Sequence, residues 1–272
     1  MKRAKPLGLV AGSGQLPVLL ARETAGSRPL IVAAISNEPQ PELERRSEFF
    51  ERTAVGKASR IMSIFESQGA TELAIIGGAQ KSELFKPRRL DWLALKILAK
   101  AKTRGDQSLF EAIAAEFESR GMTIADQRTY LPSLTLTKGV LTRRKPSRAQ
   151  RADAEYALHL ARSAAALDIG QTAVVKSGAP VAIEGMEGTD AAIRRGGELA
   201  GKGVVVGKAC RPDHDFRFDT PTVGLKTLDA LIEAKADALA LEAGRVFMLD
   251  REAFAQKADR AGIVVLALAP SN

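Results

Sequence analysis

The stretch LGLVAGSGQLPVLLARETAGSRPLIVAAI, residues 7–35, decides the fold that the sequence predicts. Two short apolar runs, residues 7–11 and 30–35, predict buried strands. Between them lie Gly12-Ser13-Gly14 and a segment that predicts a helix, with Pro17 in the first turn, where a missing N–H costs little. Strand, helix and strand in this order form the basic unit of a parallel sheet.

The same alternation continues along the chain and predicts an α/β protein built from two α/β domains. We assign residues 1–134 to an N-terminal Rossmann-like domain with a parallel sheet. Residues 149–272 are assigned to a C-terminal α/β domain that carries catalysis. Residues 135–148 are predicted to be a linker, because Pro146 and the basic run 143–145 interrupt the apolar pattern.

Size and composition are those expected of a soluble globular protein. The chain has 272 residues, of which 45% are hydrophobic and 26% charged. No apolar run approaches the roughly 20 residues that span a bilayer, and the basic N-terminus is too interrupted for a signal peptide. The single cysteine, Cys210, excludes an internal disulfide. We therefore expect a cytoplasmic protein.

The chain is strongly basic, with a net charge of +8 and a pI of about 9.7. Nucleic acid, an anionic membrane surface or a polyphosphate substrate would each account for this charge. Aromatic residues make up only 5%, too few for base-stacking platforms, so no nucleic-acid partner is expected. A basic surface that merely maintains solubility stays an alternative.

Two glycine-containing loops are candidates for binding a phosphate. Gly12-Ser13-Gly14, followed by Gln15, lies where a strand passes into a helix, so free N–H groups point at a ligand. Pro17 replaces the third glycine of a dinucleotide motif, and Ser36-Asn37-Glu38 is only a loose substitute for its acid. A tight turn explains the loop equally well. Gly77-Gly78 follows a later strand, and in a doubly wound sheet both loops open at its carboxyl edge.

A second group of candidates surrounds a turn before a predicted helix at 189–199. Thr189 and Asp190 are good first-turn residues, so capping is the simple interpretation. Capping does not explain why Glu184 and Glu187 also lie here, beside Arg194. We therefore favour a binding site.

The third group lies between residues 208 and 219. Asp215, Arg217 and Asp219 alternate, so an extended segment would place them on one side and the two phenylalanines between them on the other. Carboxylates suit Mg²⁺, and Arg217 with Lys208 suits phosphate oxygens. A strand with a polar outer face is the alternative. The working hypothesis is a metal-assisted phosphoryl or pyrophosphate reaction.

An ordered set of motifs resembles a known family. The two most specific are Glu187-Gly188-Thr189-Asp190 and the run 215–224, DFRFDTPTVG. Shorter ones are residues 11–17, Gly77-Gly78 with Lys81, Gly105-Asp106, residues 139–142 and residues 168–171. Together they resemble the UDP-2,3-diacylglucosamine pyrophosphatases of the alternative type, found in some Gram-negative bacteria and once called a domain of unknown function.

The resemblance implies Mg²⁺-dependent hydrolysis of UDP-2,3-diacylglucosamine to 2,3-diacylglucosamine 1-phosphate (lipid X) and UMP, a step of lipid A biosynthesis. It implies a lipid-bearing substrate held between two α/β domains and attack of water on the phosphorus nearer the sugar. The acid matching Asp219 is the family's best catalytic candidate. One departure is His214, where family members usually carry Gln.

From these patterns together we assign catalysis to Asp219 and Asp190, and a magnesium site to Asp219, Asp215 and Glu187. Substrate contacts are assigned to Gly12, Ser13, Gly14, Gln15, Gly78, Lys81, Thr189, Arg194, Lys208 and Arg217. The basic surface favours peripheral association with the inner membrane. A non-catalytic module that binds a nucleotide or sugar nucleotide stays an alternative, and the oligomeric state is left open.

Overall fold

The structure is a computed structural model that describes residues 4–38, 40–78, 89–101 and 106–270. It divides into two compact units. The N-terminal unit comprises Met1–Leu131 together with Asp215–Asp219, and the C-terminal unit comprises Pro132–His214 and Thr220–Asn272. Within the described ranges, none of the helices combines the length and the apolar character needed to cross a membrane.

The N-terminal unit is built on a five-stranded parallel sheet, as the sequence predicts. Its strands are β1 (Leu7–Ala11), β2 (Leu30–Ala34), β3 (Phe49–Arg52), β4 (Glu72–Ile76) and β5 (Thr123–Ile124). Its helices are α1 (Leu16–Glu23), α2 (Pro41–Arg46), α3 (Ala58–Ser67), α4 (Trp92–Lys100), α5 (Asp106–Glu118) and α6 (Gln127–Tyr130). The strand order is β3-β2-β1-β4-β5.

This strand order places a switch point beside β1. The chain runs outward through β2 and β3 on one side and through β4 and β5 on the other, so the connections diverge at the carboxyl ends of β1 and β4. All five residues of β1 and of β2 are buried, because the middle of a parallel sheet is covered on both faces. Ligands of such sheets collect at the switch point.

The C-terminal unit contains a mixed six-stranded sheet and a two-stranded parallel ribbon. Its strands are β6 (Gly139–Val140), β7 (Thr172–Lys176), β8 (Ala179–Ile183), β9 (Val205–Lys208), β10 (Thr222–Val223), β11 (Ala238–Glu242), β12 (Phe247–Met248) and β13 (Val264–Leu268). Its helices are α7 (Arg148–Ala166), α8 (Thr189–Ala200), α9 (Leu225–Glu233) and α10 (Arg251–Ala261). The sheet order is β6-β13-β11-β9-β7-β8, in which β9, β11 and β13 are parallel and the other three pair antiparallel.

Helix α7 is the main helix packed on this sheet. It begins at a capping box, in which the Gln150 N–H donates to Ser147 Oγ at 3.2 Å and the Ser147 N–H donates to Gln150 Oε1 at 3.0 Å. Ala154, Leu158 and Ala161 bury its apolar stripe against β9 and β11. The helix lies close to the sheet near the end of β9, where a Cβ at Gly207 would be 2.5 Å from the Ala157 carbonyl carbon.

The segment 135–148 is part of the C-terminal unit rather than a linker. Strand β6 lies within it and pairs with β13, Val140 opposite Leu266. Thr135 forms a bridge to Phe247, and Leu136, 2% exposed, belongs to the core. The glycine and basic residues that suggest a linker accompany a short edge strand, a position where charge and brevity discourage further pairing.

Candidate functional site

The two glycine loops of the N-terminal unit meet at the carboxyl edge of its sheet. Ser13, after β1, and Gly78, after β4, exchange backbone hydrogen bonds of 2.8 and 3.0 Å. Gly12 allows this approach, since a Cβ there would lie 2.4 Å from the Gly78 carbonyl oxygen. The expectation that both loops open at one sheet edge is confirmed. Lys81, assigned to the same loop, lies outside the described residues.

A pocket of about 430 Å³ lies beside these loops. Its volume falls within the range typical of sites for small ligands. Ser13 and Gly78 line it from the two loops, Asn37 and Glu38 from the chain after β2, and Lys57 from the turn before α3. The lining mixes polar side chains with apolar ones such as Ile35 and Val55, as expected for a ligand that carries both hydrogen-bonding groups and apolar faces.

Glu38 is a site residue that sequence reasoning undervalued. Its carboxylate accepts a hydrogen bond of 3.1 Å from the Gly14 N–H, at the turn where a phosphate was expected. It lies four residues beyond the end of β2, so it does not end the strand as the dinucleotide motif requires. A carboxylate here favours hydroxyl groups, which donate hydrogen bonds, over phosphate oxygens, which only accept them.

The turn before α8 forms a second site, within the C-terminal unit. Gly188 precedes the helix with φ of 82° and offers no side-chain cap. Lys208, at the end of β9 and only 5% exposed, donates from Nζ to Thr189 Oγ1 at 2.8 Å. Thr189 in turn donates to Glu184 Oε1 at 3.0 Å. The structure thus brings Thr189 and Lys208 together and places a buried cation at a helix N-terminus, an arrangement that attracts anions.

Two other charged residues of this turn, Glu187 and Arg194, are already paired with protein side chains. Glu187 accepts from Arg195 at 2.5 Å and from the Gly185 N–H at 3.1 Å, and the Arg195 hydrogen bond holds the pKa of Glu187 below its usual value. Arg194, assigned to substrate, pairs with Glu233 of α9 instead. Asp190 lies in the first turn of α8. Glu187 and Arg194 would therefore have to exchange protein partners to meet a ligand.

The segment 215–219 is a turn, so the expectation of an extended strand with three charged groups on one side is wrong. Asp215 accepts from the backbone N–H of Arg217 at 3.1 Å, which folds the chain back on itself. The Arg217 guanidinium then binds both Asp215 carboxylate oxygens at 2.8 to 3.1 Å. This pair competes with the metal and phosphate roles assigned to Asp215 and Arg217.

Both phenylalanines of the segment are buried within the N-terminal unit. Phe216 lies under Arg128, whose guanidinium carbon is 3.6 Å from the ring centroid, and Phe218 stacks on Phe110 at 4.6 Å. Asp219 is exposed, whereas Phe218 before it and Thr220 after it are 8% and 4% exposed. Asp219 is thus an exposed carboxylate between two buried residues of the chain.

The donors present suit Mg²⁺ only in combination with a ligand. Within the described ranges, no three side chains of the Cys, His, Asp or Glu type lie close enough together to hold a metal ion. Carboxylates are nevertheless the oxygen donors that Mg²⁺ accepts. The ion is commonly held by one or two carboxylates together with substrate phosphates.

A buried charge network, not foreseen from the sequence, anchors the loop after β9. Glu242 is fully buried at the end of β11 and binds Arg162 at 2.6 Å. Its other oxygen accepts from the Cys210 N–H at 3.1 Å. Arg245 donates to the carbonyl of Arg211 at 2.5 Å. In the sequence, the sign of this network is Glu242, a carboxylate at the end of an otherwise apolar strand.

The thiol of Cys210 is buried, which disfavours a nucleophilic role. Burial raises its pKa to about 11, so the reactive thiolate is not populated near neutral pH. This agrees with the sequence, in which nothing near Cys210 resembles a nucleophile's partner residues.

By fold, the chain is a two-unit α/β protein whose N-terminal unit is Rossmann-like. The models of the LpxI N-terminal domain and the LpxI C-terminal domain match residues 6–134 and 137–266. The chain therefore belongs to the LpxI family. It is 33% identical over 280 residues to the UDP-2,3-diacylglucosamine pyrophosphatase LpxI of Caulobacter vibrioides, covering 98% of this chain and 99% of that protein.

Among solved structures, the chain is similar to N5-carboxyaminoimidazole ribonucleotide synthetase from Thermotoga maritima. The similarity covers 68% of this chain and 42% of that chain, at 13% identity and a TM-score of 0.25. A likeness this weak carries no argument about function.

Proposed function

We propose that this protein hydrolyses the pyrophosphate of UDP-2,3-diacylglucosamine to lipid X and UMP, a step of lipid A biosynthesis. The observation that carries the proposal is the 33% identity to the Caulobacter pyrophosphatase across nearly the whole of both chains. A match of that extent spans both units.

The pocket of the N-terminal unit suits the nucleoside half of this substrate. A ribose carries hydroxyl groups that can donate to the Glu38 carboxylate, and a uracil carries both donors and acceptors for a polar wall. The Gly14 N–H then exchanges its protein partner for a ligand oxygen. Ser13 and Gly78 keep the two loops together during this exchange.

The turn before α8 suits the phosphates. Lys208 and Thr189 present an ammonium and a hydroxyl beside a helix N-terminus, and a buried cation interacts more strongly with an anion than an exposed one. We propose that they stabilise the negative charge that grows on the phosphate during hydrolysis. Glu184 keeps the Thr189 hydroxyl oriented.

In the proposed reaction, a water oxygen bonds to the phosphorus nearer the sugar, and the bond from that phosphorus to the bridging oxygen breaks. UMP leaves with the bridging oxygen, and lipid X keeps the attacked phosphorus. Asp219 is proposed to orient this water and accept its proton, with Asp190 as a second catalytic carboxylate. Mg²⁺ is the proposed cofactor, with Asp219, Asp215 and Glu187 as candidate ligands, and supplies charge neutralisation of the pyrophosphate.

The test is direct. Purified protein is incubated with UDP-2,3-diacylglucosamine in detergent micelles, and UMP and lipid X are quantified. We expect equimolar products, loss of activity with EDTA and recovery with Mg²⁺. Hydrolysis in ¹⁸O-water should place the label in lipid X, and label in UMP would show attack on the other phosphorus.

The second candidate is a sensor that binds a nucleotide or sugar nucleotide without turning it over. The pocket beside Glu38 favours it, because a nucleoside pocket alone does not require catalysis. Saturable UMP binding without any UMP release from the lipid substrate would establish this alternative.

A further inference from the structure

One helix of the N-terminal unit exposes large apolar side chains that are not packed into the core of that unit. Helix α4 buries Leu93 and Ile97 against α3 and α5. On its opposite face, Trp92 is 65% exposed and Leu95 is 47% exposed. The two residues are three positions apart, so they lie on the same face of the helix.

Lysines border this apolar face along the helix. Lys96 lies one turn after Trp92, with Nζ 5.7 Å from the centroid of its ring, and Lys100 follows one turn later. Both reach the buried carboxylate of Glu116 on α5, at 3.3 and 3.1 Å. That single carboxylate also faces Arg120 at 3.8 Å, so the border keeps an excess of positive charge.

The surrounding sequence concentrates the charge of the whole protein. Residues 81–104 contain eight lysines and arginines and two acids, a net charge of +6 out of +8 for the chain. Tryptophan and leucine flanked by lysines are characteristic of a helix that lies in the interface of an anionic bilayer. The indole enters the headgroup region, while each lysine extends its ammonium to the lipid phosphates.

We propose that the exposed face of α4, formed by Trp92 and Leu95 and bordered by Lys96 and Lys100, docks on an anionic lipid surface. The proposal rests on the proposed function in one respect, because a diacylated substrate resides in a membrane. The face belongs to neither of the two turns described above. Its role is to hold the protein at the surface from which the substrate is taken.

The chain offers a specific reporter, because Trp92 is its single tryptophan. The emission of Trp92 is measured with vesicles of phosphatidylcholine alone and with vesicles containing phosphatidylglycerol, both without substrate. We expect a blue shift with the anionic vesicles that weakens at high salt, since exposed charges are screened. Brominated acyl chains in the same vesicles should quench the emission.

The variant Leu95→Gln removes one apolar group and keeps the helix. It should weaken vesicle binding about tenfold, as expected from the loss of one buried aliphatic side chain. The matched control is Leu199→Gln, at a leucine that is 68% exposed on α8 of the other unit, and it should bind vesicles like the parent. Thermal melts of both variants check that each is folded.

Three kinds of result overturn the proposal. The first is a negative vesicle measurement, which is either an unchanged Trp92 spectrum with anionic vesicles or equal weakening of vesicle binding by both leucine variants. The second is a spectral shift that depends on protein concentration without lipid, which assigns the face to a second copy of the chain. The third is a shift with substrate in micelles but none with vesicles, which assigns it to the substrate's acyl chains. Absence of UMP release would contradict the proposed function alone, because the vesicle measurements do not use turnover.

Discussion

The turn before α1 and the turn before α8 both contain glycine at a helix N-terminus, yet the side chains that contact the two turns carry opposite charges. The Gly14 N–H donates to the Glu38 carboxylate, whereas Thr189 accepts from the Lys208 ammonium. Phosphate oxygens would be repelled by the first and attracted by the second. Similar turns therefore suit ligand groups of different charge, and the charged residue that reaches each turn from elsewhere in its own unit decides which.

The largest effect is expected at Asp219, the proposed catalytic carboxylate, which belongs to neither turn. Asp219→Asn should lower kcat about 10³-fold, because the amide cannot accept a proton from water, while UMP binding is retained. Rates are measured by UMP release and binding by calorimetry. Asp213→Asn, at an exposed acid of the same loop, is the control and should keep full activity. Comparable losses in both variants would refute the role of Asp219.

Lys208→Met should give the next largest effect. Removing the ammonium takes the buried positive charge away from Thr189, which keeps the hydroxyl of Thr172 as a donor at 3.4 Å. We expect kcat to fall about 10²-fold, as for loss of one charge-stabilising group at a reacting centre. Lys202→Met, at an exposed lysine after α8, is the control. An unchanged kcat in a folded Lys208→Met protein would show that the turn before α8 does not receive the phosphates.

Glu38→Gln tests the other turn and should weaken UMP binding about tenfold, since a hydrogen bond to a charged group is lost. The value of kcat should stay unchanged and KM should rise. The parent should prefer UMP to 2′-deoxy-UMP, and the variant should bind both with similar affinity. Glu44→Gln, on the exposed side of α2, is the control. A preserved preference for UMP in Glu38→Gln would exclude contact with the ribose.

The smallest expected effect is on the stability of the fold at acid pH, which should differ between the N-terminal and the C-terminal unit. Among the described residues, five carboxyl groups with a lowered pKa lie in the N-terminal unit and one lies in the C-terminal unit. They are Glu42, Glu51, Glu72, Glu116 and Asp126, against Glu187. Hydrogen bonds from arginine, lysine or tyrosine favour the charged form in each case.

A carboxyl group with a lowered pKa stabilises the folded state above its ordinary pKa, which is 4.5 for the glutamates and 3.8 for Asp126. That contribution is lost as pH falls toward the folded pKa, which for Glu42 is about 2. We therefore expect amide hydrogen exchange to accelerate in the N-terminal unit before the C-terminal unit as pH falls below 4.5, after correction for intrinsic rates. Glu72→Gln, which removes the titratable negative charge that Tyr130 and Arg28 bind, should narrow the difference in exchange between the two units. Simultaneous loss of protection in both units would contradict the expectation.

Much of the fold could be predicted from sequence because its strands are continuous apolar runs. Three segments, residues 7–11, 30–34 and 238–242, are buried on both faces. Each can therefore be predicted as a strand without an alternation of apolar and polar residues. Strand β3 was missed because it is half-buried and includes Glu51 and Arg52. Strand β6 was missed because two residues among glycine and basic neighbours carry no periodicity.

The candidate site was harder to predict because it depends on contacts between distant residues. Asp215, Arg217 and Asp219 alternate as a strand would, but a local hydrogen bond from Arg217 to Asp215 turns the chain. The partners that bury Phe216 and Phe218 are about 90 to 110 positions away, at Arg128 and Phe110, and no local pattern announces them. Likewise, the meeting of Lys208 with Thr189 follows from the pairing of β9 with β7, not from their spacing.

The membership of Phe218 in the N-terminal core limits how the gene can be divided. A reading frame stopped at codon 134 would encode the whole parallel sheet but omit the aromatic ring that covers Phe110. The truncated protein would expose the apolar surface around Phe110 and would be prone to aggregate on expression. A synthetic peptide of residues 215–219 should cover this apolar surface again.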